Sequence, residues 1–90
     1  MTDTHYTLYI LRCADGSLYT GIASDLAQRL AEHERGRRGA KYLRGRSPFE
    51  LVYSQPAGGR SAAQSLEYRV KRLSRRAKLE LIDGRRSLSC

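Results

Sequence analysis

Cysteine is scarce in this chain of 90 residues, and the two that occur form no pattern. Cys13 and Cys90 make neither a disulfide framework nor a spacing that could hold a metal ion. Such a sequence is typical of a reducing compartment, so we expect a cytoplasmic protein.

Long apolar runs are lacking as well. No stretch approaches the roughly 20 apolar residues that are needed to cross a bilayer, so no membrane association is expected. The first residues, MTDTHYTLYILRC, do not have the basic segment followed by an apolar segment that marks a secretory signal. Neither a Walker loop nor a Gly-x-Gly-x-x-Gly motif occurs, which argues against the usual nucleotide sites.

Acidic residues are too few to balance the basic ones. The chain has 9 Asp and Glu against 17 Lys and Arg, a net charge of +8 and a pI near 10.1. Most of the cations are Arg, whose planar guanidinium suits two-point contacts with phosphate. Nucleic acid is therefore the first partner to consider, and a merely soluble basic surface is the alternative.

The apolar pattern predicts three strands. Residues 7–13 and 17–22 are rich in β-forming residues and are joined by a turn at Asp15-Gly16, which predicts a hairpin. Residues 48–54 predict a third strand, which ends before Pro56 and Gly58.

Three helices are predicted between and after these strands. Ser24 is the expected cap of the first, which should stop near Gly36. A capping box at Ser61 to Gln64 is expected to open the second, and Ser74 to cap a third that ends near Gly84.

The element order β-β-α-β-α-α predicts an α+β fold, with a small, three-stranded, mostly antiparallel sheet packed by helices. We expect one domain over 1–90, with its core over about 5–83 and a frayed tail at 84–90. Three further tyrosines are expected to serve in packing: Tyr42, Tyr53 and Tyr68.

One group of side chains is expected to converge on phosphate. Arg29 and His33 lie one turn apart on the first helix, at the flank of its apolar stripe. Tyr9 and Tyr19 lie on the two hairpin strands and can share a face of the sheet if the register aligns them. Glu67, on the second helix, can bring a carboxylate to the same place.

Each of these residues also has an ordinary structural interpretation. The two tyrosines can be a cross-strand pair that stabilises the hairpin. Arg29 can lay its aliphatic part along the apolar stripe. Glu67 precedes Lys71 by four residues, the spacing of an exposed helix ion pair.

Further cations are expected to contact the nucleic-acid backbone. Residues 35–46 hold six cations and no acid, and residues 69–78 hold another six and no acid. The candidates for these contacts are Arg37, Arg38, Lys41, Arg44, Arg46, Lys71 and Arg72.

The ordered set of motifs resembles the GIY-YIG nuclease domain, and in particular its small stand-alone bacterial members. The two name-giving tripeptides correspond to Thr7-Leu8-Tyr9 and Tyr19-Thr20-Gly21. The run that begins LYTGI extends from Leu18 to Ser54, and SLEYRVKRLSRRAKLELI continues it to Ile82. The resemblance covers nearly the whole chain.

This resemblance implies a role for each converging residue. Tyr9 would activate the water nucleophile, and Tyr19 would lie beside the scissile phosphate. Arg29 would hold that phosphate and stabilise its developing charge, while His33 matches a position often used in the active site. Glu67 would bind the single divalent metal ion, Mg²⁺ or Mn²⁺. The pKa of Tyr9 would have to fall below its usual value near 10 for it to act as a base.

The resemblance also has departures. Only the tyrosine of the first tripeptide is kept, and the chain contains no asparagine, which many such domains carry after the metal-binding helix. No second domain for sequence-specific binding is expected. The sequence therefore predicts a metal-dependent DNA endonuclease that is structure-selective or non-specific. The alternatives are a non-catalytic nucleic-acid-binding module on the same fold and a nuclease subunit that a partner protein targets.

Overall fold

The computed structural model of the protein describes residues 4–35, 43 and 45–88. Its strands and helices are β1 Tyr6–Arg12, β2 Leu18–Ala23, α1 Leu26–Arg35, β3 Glu50–Gly58, α2 Arg60–Lys71 and α3 Arg75–Ile82. The strands form one antiparallel sheet in the order β2-β1-β3. The predicted α+β class and element order are confirmed. None of the described helices is long and apolar enough to span a membrane.

The hairpin between β1 and β2 turns where the sequence predicts it. Cys13 N–H donates to the Ser17 carbonyl, and Gly16 N–H donates to the Cys13 carbonyl, both at 2.9 Å. Gly16 has φ of +85°, which an L side chain rarely adopts. The Asp15 carboxylate accepts from Ser17 N–H at 3.0 Å and closes the loop. This three-residue loop fixes the register of the hairpin.

β1 is the central strand and is covered on both faces. Successive side chains of a strand point to opposite faces, so Leu8 and Ile10 face one way and Tyr9 and Leu11 the other. The first pair packs with α2 and α3 residues. The second pair packs in a separate cluster with residues of β2 and α1. The helices thus form a layer on each side of the sheet.

β3 runs past the proline that was expected to end it. The strand was predicted at 48–54 but spans Glu50–Gly58, with Pro56 paired to Thr7. The prediction was wrong because β3 is an edge strand, where a residue without an N–H can be tolerated. Its register shifts twice against β1, which places one extra residue of β3 at each irregularity.

The helix caps follow the sequence only in part. α3 begins as predicted, with the Ser74 hydroxyl accepting from Ala77 N–H at 3.1 Å. The capping box is wrong, because Gly59 caps α2 without a side-chain hydrogen bond and Ser61 lies inside the helix. The cap predicted at Ser24 is wrong by one residue. α1 begins at Leu26, and the Asp25 carboxylate accepts a hydrogen bond from Gln28 N–H at 3.1 Å.

The expected packing tyrosines have three different outcomes. Tyr53 packs against the core cluster beneath α2 and α3. The prediction for Tyr68 is wrong, since its side chain is 62% exposed. Tyr42 lies outside the described residues. The frayed tail stays a prediction, although Leu88 packs against the core.

Candidate active site

Tyr9 and Tyr19 are brought together by the hairpin register. Tyr9 is paired with Gly21, and Tyr19 with Leu11, so both tyrosines lie on the same face of the sheet. Their ring centroids are 6.3 Å apart with the planes tilted by 48°. The predicted cross-strand tyrosine pair is therefore present.

The glycine of the second tripeptide makes room for the tyrosine of the first. A Cβ atom built on Gly21 would lie 2.7 Å from the Tyr9 hydroxyl oxygen and 2.8 Å from its Cζ atom. Contacts this short are almost never made by a real Cβ, so the Tyr9 ring occupies the space above Gly21. The two motifs therefore form one packed unit, in which a side chain on β1 lies over a glycine on β2.

His33 completes this unit from α1. Its Nε2 atom lies 2.8 Å from the Tyr9 hydroxyl oxygen, and this hydrogen bond is buried. The His33 ring meets Tyr19 edge-on, with centroids 5.7 Å apart. The expected flank position is wrong for His33, since only 3% of the residue is exposed. The imidazole therefore lies between α1 and the sheet, in contact with the tyrosines of both hairpin strands.

Arg29 lies one turn before His33 and is only partly buried. Its guanidinium forms an ion pair with Glu32, with Nη1 3.1 Å from Oε1. It also hydrogen-bonds to Tyr9 and stabilises negative charge there, which acts to lower the pKa of that phenol. The flank position predicted for Arg29 agrees with its partial exposure.

The pKa of Tyr9 is shifted in the direction opposite to the one that a general base requires. Burial, followed by the neighbouring Tyr19, raises the pKa of Tyr9 to about 12, despite the Arg29 hydrogen bond and charge. The lower pKa that Tyr9 would need in order to act as a base is therefore not produced by the residues around it. Burial and the Arg29 charge lower the pKa of His33 below its usual 6.5. At neutral pH Tyr9 is thus protonated and His33 is uncharged.

Glu67 belongs to α2, which packs on the other face of the sheet, yet its charge reaches Tyr9. Its carboxylate contributes to the raised pKa of the Tyr9 phenol. Its Oε2 atom is 3.2 Å from Lys71 Nζ, so the ordinary helix pair is also present. The described residues contain no group of three or more side chains suited to hold a metal ion. A single carboxylate fits Mg²⁺ or Mn²⁺ when water and substrate supply the other oxygens.

The predicted backbone-binding cations are only partly described. Arg37, Arg38, Lys41 and Arg44 lie outside the described residues. Arg46 pairs with Asp15 and fastens the segment before β3 to the hairpin turn. Arg72 places its guanidinium over the Tyr68 ring, with Cζ 5.4 Å from the centroid.

Glu32, which pairs with the Arg29 guanidinium, was not among the residues predicted for the site. The signal was available, because a carboxylate three residues after an arginine lies on the same side of a helix. The close approach of the Tyr9 ring to Gly21 was not predicted either, because it follows from the strand register.

These features define the class of protein. A model of the GIY-YIG catalytic domain matches residues 5–80. The chain therefore belongs to the GIY-YIG family, and its fold is of the nuclease type.

Within that family it is similar to UPF0213 proteins. It is 53% identical to one from Cronobacter sakazakii over 77 residues, which cover 86% of this chain and 80% of the relative. It is 52% identical to one from Yersinia pestis over 82 residues, covering 91% and 85%.

Two solution NMR structures are also similar. The UPF0213 protein of Bacillus halodurans has 46% identity and a TM-score of 0.57, covering 88% of this chain and 83% of that one. A protein of E. faecalis has 28% identity and a TM-score of 0.63, covering 99% and 98%.

Proposed function

We propose that this protein is a metal-dependent DNA endonuclease that hydrolyses phosphodiester bonds and is structure-selective or non-specific. The observation that carries the proposal is the buried hydrogen bond between Tyr9 and His33, beside the partly exposed Arg29. A buried phenol, a neutral imidazole and a guanidinium in contact are a set suited to moving a proton next to a bound phosphate.

Arg29 and Tyr19 are assigned to the phosphate. The guanidinium is held by Glu32 and needs little reorganisation to stabilise the charge that develops on the phosphoryl oxygens. Tyr19 lies edge-on to His33 and diagonal to Tyr9, so its hydroxyl can bind the same phosphate.

Tyr9 and His33 are assigned to proton transfer. A phenol with a pKa of about 12 does not give up its proton to solvent at neutral pH. In the tautomer with its proton on Nδ1, His33 accepts the Tyr9 proton at Nε2 while the phenol oxygen accepts one from the attacking water. The hydroxide oxygen then bonds to phosphorus while the bond from phosphorus to the leaving oxygen breaks. The leaving oxygen takes the bonding electron pair and receives a proton from solvent, and the imidazole, left protonated, returns its proton to solvent.

Glu67 is assigned to one divalent cation, Mg²⁺ or Mn²⁺. When bound, the cation would polarise the phosphoryl group and neutralise part of its charge. Lys71 has to release the Glu67 carboxylate for this, and their pair is partly exposed and therefore weak.

A second candidate function is a non-catalytic nucleic-acid-binding module. The observation that favours it is Tyr9 itself, which is 1% exposed and has a raised pKa. A phenol so placed can be read as a core residue that holds α1 to the sheet. A nuclease subunit that depends on a protein for targeting remains a variant of the first proposal.

Cleavage of single-stranded, duplex and branched DNA with Mg²⁺ or Mn²⁺ separates these functions. Glu67→Gln should abolish cleavage and leave DNA affinity unchanged or slightly higher, because a negative charge near the phosphates is lost. Arg29→Ala should lower turnover by roughly 10²-fold or more, as the loss of one preorganised donor does. Its effect on affinity should be small, because many other cations bind the backbone.

A matched control pair lies outside both basic segments at Glu80 and Arg86, with Arg86 Nη2 2.9 Å from Glu80 Oε1. Glu80→Gln and Arg86→Ala remove the same charges as the two test variants, and both should leave cleavage intact. Equal cleavage by wild type and Glu67→Gln would show that the metal assignment is wrong. DNA binding by wild type without cleavage under any divalent metal would favour the binding module.

A further inference from the structure

Tyr68 is a large aromatic residue whose exposed position is not explained by packing within the fold. It lies on α2 and is 62% exposed, whereas Tyr9 is buried and Tyr53 packs against the core. Leu51 is the other large apolar side chain that is exposed among the described residues, at 43%. Because most of the ring is exposed, it adds little hydrophobic stabilisation to the fold, and its apolar surface is available to a ligand.

Arg72 holds the Tyr68 ring in one orientation. Its guanidinium lies over the ring, and its Nη1 atom donates to the Tyr68 hydroxyl at 3.1 Å. Arg72 follows Tyr68 by one helical turn, so it approaches the ring from the C-terminal side of the helix. The ring is therefore oriented before any ligand arrives, which lowers the entropy lost on binding.

A shallow pocket lies on the N-terminal side of the same ring. It is lined by Ser61, Gln64, Ser65, Tyr68 and Arg69. These side chains offer hydroxyl, amide and guanidinium groups, and no carboxylate is among them. A flat aromatic surface bordered by polar groups and by arginine is the combination that binds an unpaired base together with its phosphate.

The pocket lies on α2, which packs on the face of the sheet opposite to Tyr9 and α1. Glu67 immediately precedes Tyr68, and adjacent helical residues are turned by about 100° from each other. The Tyr68 ring and the Glu67 carboxylate therefore leave the helix in different directions. The segment 69–78, with six cations and no acid, continues the surface with positive charge.

We propose that Tyr68, held by Arg72 and flanked by Arg69, stacks on an unpaired base of single-stranded DNA. This inference rests on the proposed function for the identity of the ligand. Bases within a duplex already stack on both faces, so the platform would favour single-stranded or branched DNA over intact duplex. The simple alternative is a helix-stabilising pair at i and i+4 with no ligand.

The test is binding in the presence of EDTA, so that no cleavage occurs. A single-stranded oligonucleotide containing 2-aminopurine and its matched duplex are titrated against wild type, Tyr68→Phe and Tyr68→Leu. Wild type should quench the fluorescence of the single strand. Tyr68→Leu should bind the single strand roughly 5- to 150-fold more weakly and the duplex almost as well, since stacking on one base contributes that much. Tyr68→Phe keeps the ring and should retain most of the affinity.

Leu51→Ala is the matched control, because it removes an exposed apolar side chain from β3 and should not change binding. Circular dichroism checks that each variant is folded. Unchanged single-strand affinity in Tyr68→Leu, or an equal loss on both DNA forms, overturns the stacking platform. No DNA binding by wild type at low salt overturns it as well.

Failure of the platform and failure of the proposed nuclease are distinguished by a parallel cleavage assay with Mg²⁺ or Mn²⁺. If single-strand binding depends on Tyr68 but wild type cleaves nothing, the platform stands and catalysis fails. If wild type cleaves and Tyr68→Leu binds the single strand normally, catalysis stands and the platform fails.

Discussion

At the scale of single residues, the candidate site depends on the absence of a side chain at Gly21. Within a strand, a change from Gly to Ala usually stabilises, because it restricts the unfolded chain. Gly21→Ala should instead destabilise the protein by roughly 1–3 kcal/mol, because the new methyl group would overlap the Tyr9 phenol. Urea unfolding measures this change. It should also separate Tyr9 from His33, so cleavage should fall with stability.

The free-energy cost of the steric overlap with Tyr9 can be measured separately with a second substitution. In a Tyr9→Leu background the phenol is gone, so the added cost of Gly21→Ala should be much smaller than in wild type. Additive effects of the two substitutions would mean that the Gly21 contact is not the cause.

The buried imidazole predicts a dependence of stability on pH. The pKa of His33 is lowered by burial and by Arg29, with Glu32 opposing. The unfolded chain therefore binds a proton at this residue more readily than the folded chain does. The free energy of unfolding should decrease as pH falls below about 6.5, down to the pKa in the folded state.

Urea midpoints measured between pH 5 and 7 test this dependence. His33→Gln removes the titrating group and should flatten the curve over that range. Cleavage should lose activity in the same acidic range, because a protonated His33 cannot accept the Tyr9 proton. An unchanged curve in His33→Gln would assign the pH dependence to other groups.

Most residues of the candidate site could be predicted from the sequence, but the burial of His33 could not. The hairpin turn fixes the register, and the register brings Tyr9 and Tyr19 onto one face. A helical wheel gives the angle of His33 but not its distance from the sheet. That distance depends on how closely α1 packs on β1 and β2, which the sequence of the helix alone does not specify.

At the scale of elements, two of the three serines predicted as helix caps, Ser74 and Ser61, should respond differently to substitution. Ser74 accepts a hydrogen bond from Ala77 N–H at the start of α3, so Ser74→Ala should cost about 1 kcal/mol. Ser61 lies within α2, whose cap is Gly59, so Ser61→Ala should change stability by no more than about 0.5 kcal/mol. Thermal or urea unfolding of both variants tests the assignment, and equal effects would contradict it.

The order and type of the elements were predictable, whereas several boundaries were not. The apolar periodicity and the Asp15-Gly16 turn are local features, and the structure confirms the elements that they predict. The extension of β3 through Pro56 depends on its position at the edge of the sheet, which is a property of the whole topology. The cap of α2 was not predicted because Gly59 has no side chain that could accept a hydrogen bond, whereas Ser61 has one.

At the scale of the whole molecule, the positive charge predicts salt-dependent binding to DNA. The net charge of +8 attracts the backbone, and each phosphate contact releases condensed counterions. If about five phosphates are neutralised, log K should fall against log salt with a slope of roughly −4.5. Fluorescence anisotropy over a series of salt concentrations measures this slope. Binding that does not change with salt would contradict both proposed functions.

The central position of β1 divides the candidate site into a fixed part and a part that can open. β1 is hydrogen-bonded along both sides and covered on both faces, so it separates from its neighbours only when the whole domain unfolds. Among the described residues, we therefore expect the amides of β1, including that of Tyr9, to be among the best protected against hydrogen exchange. Tyr19 lies on the edge strand β2, and Arg29 on a helix that packs at the same side. Local opening of the outer elements is therefore expected to move Tyr19 and Arg29 before Tyr9, and a comparison of amide exchange at β1 and β2 would show this order.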